Sequence, residues 1–142
     1  MKVVFADTLY WVAVIHPDDP WHQSAIRAGQ ALGRHRLITT DWVLTGFLAH
    51  MGRGAYLRAL AADFVRSIFA DKLIIVITQT RELFLKGLDL FEKRSDKSFS
   101  LVDCVSMVVM HSMSVRDVLT NDSHFSQEGF NVLIRRRPDT PR

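Results

Sequence analysis

Val3-Val4-Phe5-Ala6-Asp7-Thr8 decides how this sequence is to be read. Four apolar residues, β-branched and aromatic among them, make a run short enough for a strand covered on both faces. The run stops at Asp7-Thr8, a pair that starts helices, and Leu9, Trp11, Val12 and Ile15 follow at near-helical spacing. A doubly covered strand passing straight into a helix is the opening unit of a parallel α/β sheet, because parallel neighbours need a crossover and helices supply it.

The same alternation continues outward. His16-Pro17-Asp18-Asp19-Pro20 reads as a turn, and residues 21–32 as a helix carrying Ala25, Ala28, Ala31 and Leu32. Leu37-Ile38-Thr39 is a second short strand. Thr40 or Asp41 is placed to cap a third helix with Val43, Leu44, Phe47, Leu48 and Met51 as its apolar residues, and Gly52 and Gly54 end it. Residues 55–70 place Leu57, Leu60, Ala61, Phe64 and Ile68 at steps of three or four, an amphipathic helix. Leu73-Ile74-Ile75-Val76-Ile77 is the strongest strand signal. A helix over residues 80–93 shows Phe84, Leu88 and Phe91 on one face. After a loop at Asp96-Lys97-Ser98, Ser100 begins a helix with Leu101, Val105 and Val108 on one stripe. Asp117-Val118-Leu119-Thr120 predicts a fourth strand, residues 121–127 a loop with one helical turn, and residues 130–134 a fifth strand. The expected class is α/β: a doubly wound, mainly parallel five-stranded sheet flanked by helices on both faces. One domain is expected over residues 1–136, with residues 137–142 a flexible C-terminal tail.

Composition narrows the function classes. The chain has 142 residues, 48% hydrophobic and 23% charged, which fits one soluble globular domain rather than a disordered segment. No apolar run reaches the roughly 18 residues that a membrane span needs, and the N-terminus shows no secretory signal pattern. Cys104 is the only cysteine, so no intrachain disulfide forms, and a reducing, cytoplasmic setting is expected. Eighteen Lys and Arg against fifteen acids give a formal charge of +3, which permits a polyanionic partner without demanding one. Arg135, Arg136 and Arg137 cluster near the C-terminus, either as a basic rim or as a solvated tail. Trp11, Trp21 and Trp42 on early helices and Met107, Met110 and Met113 on a later one are read mainly as core, with a homodimer interface or a groove for a partner helix as the other use.

The acids are placed more tellingly than they are numerous. In open α/β sheets, ligands bind beyond the carboxyl ends of strands, where the strand order reverses. Asp7 directly follows the first strand and Asp122 closely follows the fourth, so neighbouring strands would bring both to one crevice. Asp103, in the first turn of the preceding helix, leans over the same place. Each also has a plainer use as a helix cap, and Ser100-Leu101-Val102-Asp103 has capping-box spacing. The two uses are compatible. Three carboxylates around one crevice suit a hard divalent cation such as Mg²⁺ or Mn²⁺, which takes oxygen ligands.

Four segments together resemble the successive motifs of PIN domains, most closely VapC-type toxins: VVFADTLYWVAV (3–14), ITTDWVLTGFLAHM (38–51), SDKSFSLVDCVSMVVM (95–110) and LTNDSHFSQEGFNVL (119–133). They stand in the family's order and span nearly the whole chain. The resemblance implies a PIN-like doubly wound fold, an Mg²⁺ or Mn²⁺ site, and endoribonuclease activity of a toxin–antitoxin pair. It also implies an RNA substrate and a cognate antitoxin that covers the site; a homodimer with no membrane partner is expected beside it. Carried over by position, Asp7, Asp103 and Asp122 are the first, third and fourth acids and the metal ligands. Thr8, Asp96, Thr120, Asn121 and Ser123 are possible supporting residues, and His124 is a candidate for orienting water or phosphate.

The second acid departs from the pattern. The family's T-T-D-x-V-L-D-E appears here as Thr39-Thr40-Asp41-Trp42-Val43-Leu44-Thr45-Gly46, so Gly46 occupies the position of the usual Glu. Glycine inside a helix costs about 1 kcal/mol relative to alanine, so it needs a reason. The domain is naturally weakened, or Asp41 or a water stands in, or Gly46 is an introduced substitution. Activity weakened or abolished by Gly46 is one expectation; a non-catalytic PIN-like RNA- or protein-binding module is the alternative. A receiver-like phosphorylation switch would need an acidic pair after the first strand and a late lysine, and no lysine follows Lys97. A haloacid-dehalogenase-type phosphatase would need Asp-x-Asp, where this chain has Asp7-Thr8-Leu9.

Overall fold

In the computed structural model, which describes residues 1–135, strands and helices alternate as the hydrophobic pattern requires. The order is β1 (Lys2–Ala6), α1 (Thr8–Ile15), α2 (His22–Ala31), β2 (His35–Thr40), α3 (Asp41–Met51), α4 (Ala55–Ala70), β3 (Ile74–Ile77), α5 (Arg81–Lys93), α6 (Leu101–Ser112), β4 (Asp117–Leu119), α7 (Ser123–Gln127) and β5 (Asn131–Val132). The sheet runs β3-β2-β1-β4-β5 and every pairing is parallel. Strand order therefore reverses between β1 and β4, which pair as Phe5 with Val118 and Ala6 with Leu119. The adjacency on which the acidic crevice depends is present.

Successive strand residues point to opposite faces, and Val4, Phe5 and Ala6 are all fully buried, so both faces of β1 are covered. Trp11 on α1 fixes one of these contacts. Its indole Nε1 donates to Thr39 Oγ1 of β2 at 3.2 Å, and that hydroxyl donates to the Ala6 carbonyl at 3.0 Å. A buried Thr inside a central strand is thus satisfied on both sides, and α1 is held at one angle over the sheet. Helices α5 and α6 approach closely enough that a Cβ at Gly87 would overlap Val105. Met107 and Met110 are core, as the sequence suggests, whereas Met113 is exposed and Trp21 and Trp42 are half-buried.

Element ends differ where local hydrogen bonds outweigh pattern. Strand β3 starts after Leu73, because Asp71 Oδ1 accepts from the Leu73 amide at 2.8 Å and the Asp71 carbonyl from the Ile74 amide at 3.2 Å, closing a turn there. Strand β2 extends from His35 through Thr40. The regular part of β5 is only Asn131–Val132, although the Leu133 and Ile134 amides still donate to the Val118 and Thr120 carbonyls. The loop expected after β4 contains the five-residue helix α7. Arg136, Arg137 and the expected tail over residues 137–142 lie outside the described residues. No helix among the described residues is long and apolar enough to cross a membrane.

Candidate metal centre

The carboxyl ends of β1 and β4 are joined by the Asp7 amide, which donates to the Leu119 carbonyl at 3.3 Å. Asp7 occupies the N-cap position of α1 but makes no side-chain capping bond, so the plain capping use does not hold for it. Its Oδ2 instead accepts from Thr120 Oγ1 at 3.1 Å, and the same hydroxyl accepts from the Asp122 amide at 3.2 Å. Thr120 is completely buried and ties the acid after β1 to the acid after β4.

Asp103 and Asp122 do cap helices. Asp103 Oδ2 accepts from the Ser100 amide at 3.0 Å while Ser100 Oγ accepts from the Asp103 amide at 3.0 Å, a complete capping box for α6. Asp122 Oδ1 accepts from the His124 amide at 2.9 Å at the start of α7. Capping fixes these carboxylates in place and leaves further oxygen lone pairs for a ligand.

All three acids line one cavity of about 390 Å³ together with Thr8 and Gly46. Asp7 is only 6% exposed. Burial pushes its carboxyl up to about 6, and the charges of Asp103 and Asp122 push in the same direction, against the Thr8 backbone amide and the Thr120 hydroxyl, which lower it. Among the described residues the groups that lower its value are an amide and a hydroxyl rather than a cation, and a divalent cation would supply a counter-charge. The donor set fits such a cation.

The tightest grouping is not the three aspartates. One ligand atom each from Asp103, Asp122 and His124 falls within 4.8 Å of the others, the one such group among the described residues. His124 Nδ1 lies 3.0 Å from Asp103 Oδ2 and 3.3 Å from Asp122 Oδ1. Its Nε2 lies 3.3 Å from Ser98 Oγ, and its ring packs edge-on to Phe99. Asp7 faces the same cavity from outside that group.

The remaining expected residues divide. Gly46 does look into the cavity; a Cβ there would stand 3.3 Å from Thr8 Oγ1. Thr8 Oγ1 donates to the Val43 carbonyl at 3.3 Å, tying α1 to α3. Asp41 does not line the cavity: its Oδ2 accepts from the Gln79 amide at 2.8 Å. Asp96 is also outside, exposed and 3.8 Å from Lys97. Asn121 and Ser123 are not on the cavity wall either. Two residues that sequence reading left without a role, Asp19 and His50, are on it. His50 lies one helical turn beyond Gly46 on α3, a spacing visible in the sequence once the Gly46 face is assigned. Asp19 comes from the proline-flanked turn, and no periodic signal marks it. No lysine lines the cavity, as a receiver-like site would require.

No family model matches the chain, and no curated protein matches it in sequence. Among solved structures it is similar to VapC20 of Mycobacterium tuberculosis, a sarcin-ricin loop cleaving toxin. The TM-score is 0.80 at 23% identity, over 89% of this chain and 95% of that one. At that identity the likeness is one of fold. The PIN-like doubly wound architecture expected from the four sequence segments is therefore present: this chain has the fold of a VapC-type PIN-domain toxin.

Proposed function

We propose that this chain is a divalent-metal-dependent endoribonuclease of the VapC toxin type, with Asp7, Asp103 and Asp122 as its acidic ligands for Mg²⁺ or Mn²⁺. The observation that carries the reading is the convergence of these carboxylates on one cavity at the β1/β4 switch point. A cation held there lowers the pKa of water and offsets charge on a phosphodiester. Thr120 holds Asp7 in register with the Asp122 backbone, the capping box holds Asp103, and Thr8 keeps α1 against α3. RNA is the proposed substrate, and the setting is the cytoplasm. A second copy of this chain and a cognate antitoxin are the proposed protein partners.

Gly46 leaves the site one carboxylate short, so weak cleavage is expected. The same observation favours a second reading, a PIN-like module that binds RNA or a protein without cutting. Purified protein incubated with structured RNA, with and without Mg²⁺ or Mn²⁺, distinguishes them. Slow cleavage abolished by chelator and by Asp7→Asn supports the nuclease. RNA binding that neither treatment alters, with no cleavage, supports the binding module.

A further inference from the structure

The nitrogen in the tight group is unexpected for a hard-metal nuclease site, and its geometry is specific. Two ligand atoms each about 2.1 Å from an octahedral ion, at right angles, stand about 3.0 Å apart. His124 Nδ1 stands 3.0 Å from Asp103 Oδ2 and 3.3 Å from Asp122 Oδ1, close to two edges of such an octahedron. We propose that His124 is itself a ligand of the divalent cation, through Nδ1, completing with Asp103 and Asp122 a set that Gly46 leaves short of one carboxylate. The inference rests on the metal-site reading above and adds a residue to it.

Three features fit a ligating imidazole. A ring bound through Nδ1 carries its proton on Nε2, and Ser98 Oγ stands 3.3 Å away to accept it, the outer partner that metal-bound histidines usually have. Phe99 packs against the ring edge at a centroid separation of 5.4 Å and limits its rotation. The backbone amide of His124 is held by Asp122 Oδ1, so ring and carboxylate are positioned from one short turn. A nitrogen donor also has a chemical consequence. Mg²⁺ builds its shell from oxygen, whereas Mn²⁺ accepts imidazole more readily, so His124 tilts the site toward Mn²⁺.

Mn²⁺ alone is the probe, read by pulsed electron paramagnetic resonance and by calorimetry on the full chain. The expected result is an imidazole nitrogen modulation on bound Mn²⁺, lost in His124→Gln and retained in His50→Gln, the histidine on the cavity wall. Mn²⁺ affinity should fall about tenfold in His124→Gln and Mg²⁺ affinity by less. Mn²⁺ bound to the unsubstituted chain without nitrogen modulation, or modulation surviving His124→Gln, overturns the inference while leaving the metal site standing. No Mn²⁺ binding at all overturns both. If His124→Gln does not fold, His124→Asn replaces it, and the unsubstituted spectrum remains decisive if nitrogen is absent.

Discussion

Thr120 Oγ1 donates to Asp7 Oδ2 at 3.1 Å across a sequence separation of 113 residues, and both groups are buried. That hydroxyl is the link between the two sides of the switch point, because it also accepts from the Asp122 amide. Thr120→Val preserves shape and removes both bonds. It leaves a buried carboxylate and a backbone N–H without this partner, at an expected cost of about 1–3 kcal/mol. Thr120→Ser keeps the hydroxyl and should lose much less. Urea unfolding of the two variants beside the parent chain checks this; equal losses would mean that the methyl group, not the hydroxyl, matters.

Asp7 predicts a pH dependence of unusual sign for an acid. Its folded value of about 6 lies above its ordinary value of 3.8. Between those values the folded chain holds the proton more tightly than the unfolded one, so stability falls as pH rises. The contribution is fully present below 3.8 and is lost as pH rises through about 6. A shift of that size corresponds to about 3 kcal/mol. Asp7→Asn should therefore stabilise the metal-free protein at pH 7, and should change little at pH 4. Thermal melts from pH 4 to pH 8 in chelator test the slope. Added Mn²⁺ should raise the melting temperature of the parent at pH 7 and not that of Asp7→Asn.

The fold was readable from the sequence because its signals are local and redundant. Five apolar runs alternate with helical periodicity, and a strand covered on both faces needs no tertiary information to be recognised. Asp7, Asp103 and Asp122 were readable because each sits at an element end where topology, not contact, predicts convergence. The motif marks Thr120 only as a supporting residue, because its link to both Asp7 and Asp122 depends on the register of β1 against β4. The grouping of His124 with Asp103 likewise depends on how α7 docks beside α6. Asp96 shows the converse. Its sequence neighbourhood matches the motif, yet the loop turns its carboxylate toward Lys97 and solvent.

Gly46 is the position at which sequence and structure together make a design test. Glu there would add an anionic side chain to the cavity that Asp7, Asp103, Asp122 and Asp19 already line. Its Cβ would stand 3.3 Å from Thr8 Oγ1, so Thr8 must shift slightly while keeping its bond to the Val43 carbonyl. Replacing a mid-helix glycine returns about 1 kcal/mol of helix propensity, which opposes that strain. Gly46→Ala isolates these backbone and packing effects from the charge. Gly46→Glu should bind Mn²⁺ at least tenfold more tightly than Gly46→Ala and should gain RNA cleavage. Equal Mn²⁺ affinities in the two variants would show that the missing acid is not what limits the site.

Asp103 carries two duties that substitution can separate. As the third residue of α6 it accepts from the Ser100 amide, and as a cavity residue it faces Asp7 and lies 3.0 Å from the His124 ring. Asparagine retains an oxygen that accepts the Ser100 bond but carries no charge for a cation. Alanine retains neither. Asp103→Ala should lose about 1 kcal/mol from the broken capping box, whereas Asp103→Asn should stay near the parent in stability. Both should lose Mn²⁺ binding, since an uncharged amide is a poor replacement for a carboxylate ligand. Chemical unfolding in chelator reads the first duty and calorimetric Mn²⁺ titration reads the second. If Asp103→Asn kept parental Mn²⁺ affinity, Asp103 would be a helix cap and nothing more, and the cation would have to be held by the other side chains of the cavity.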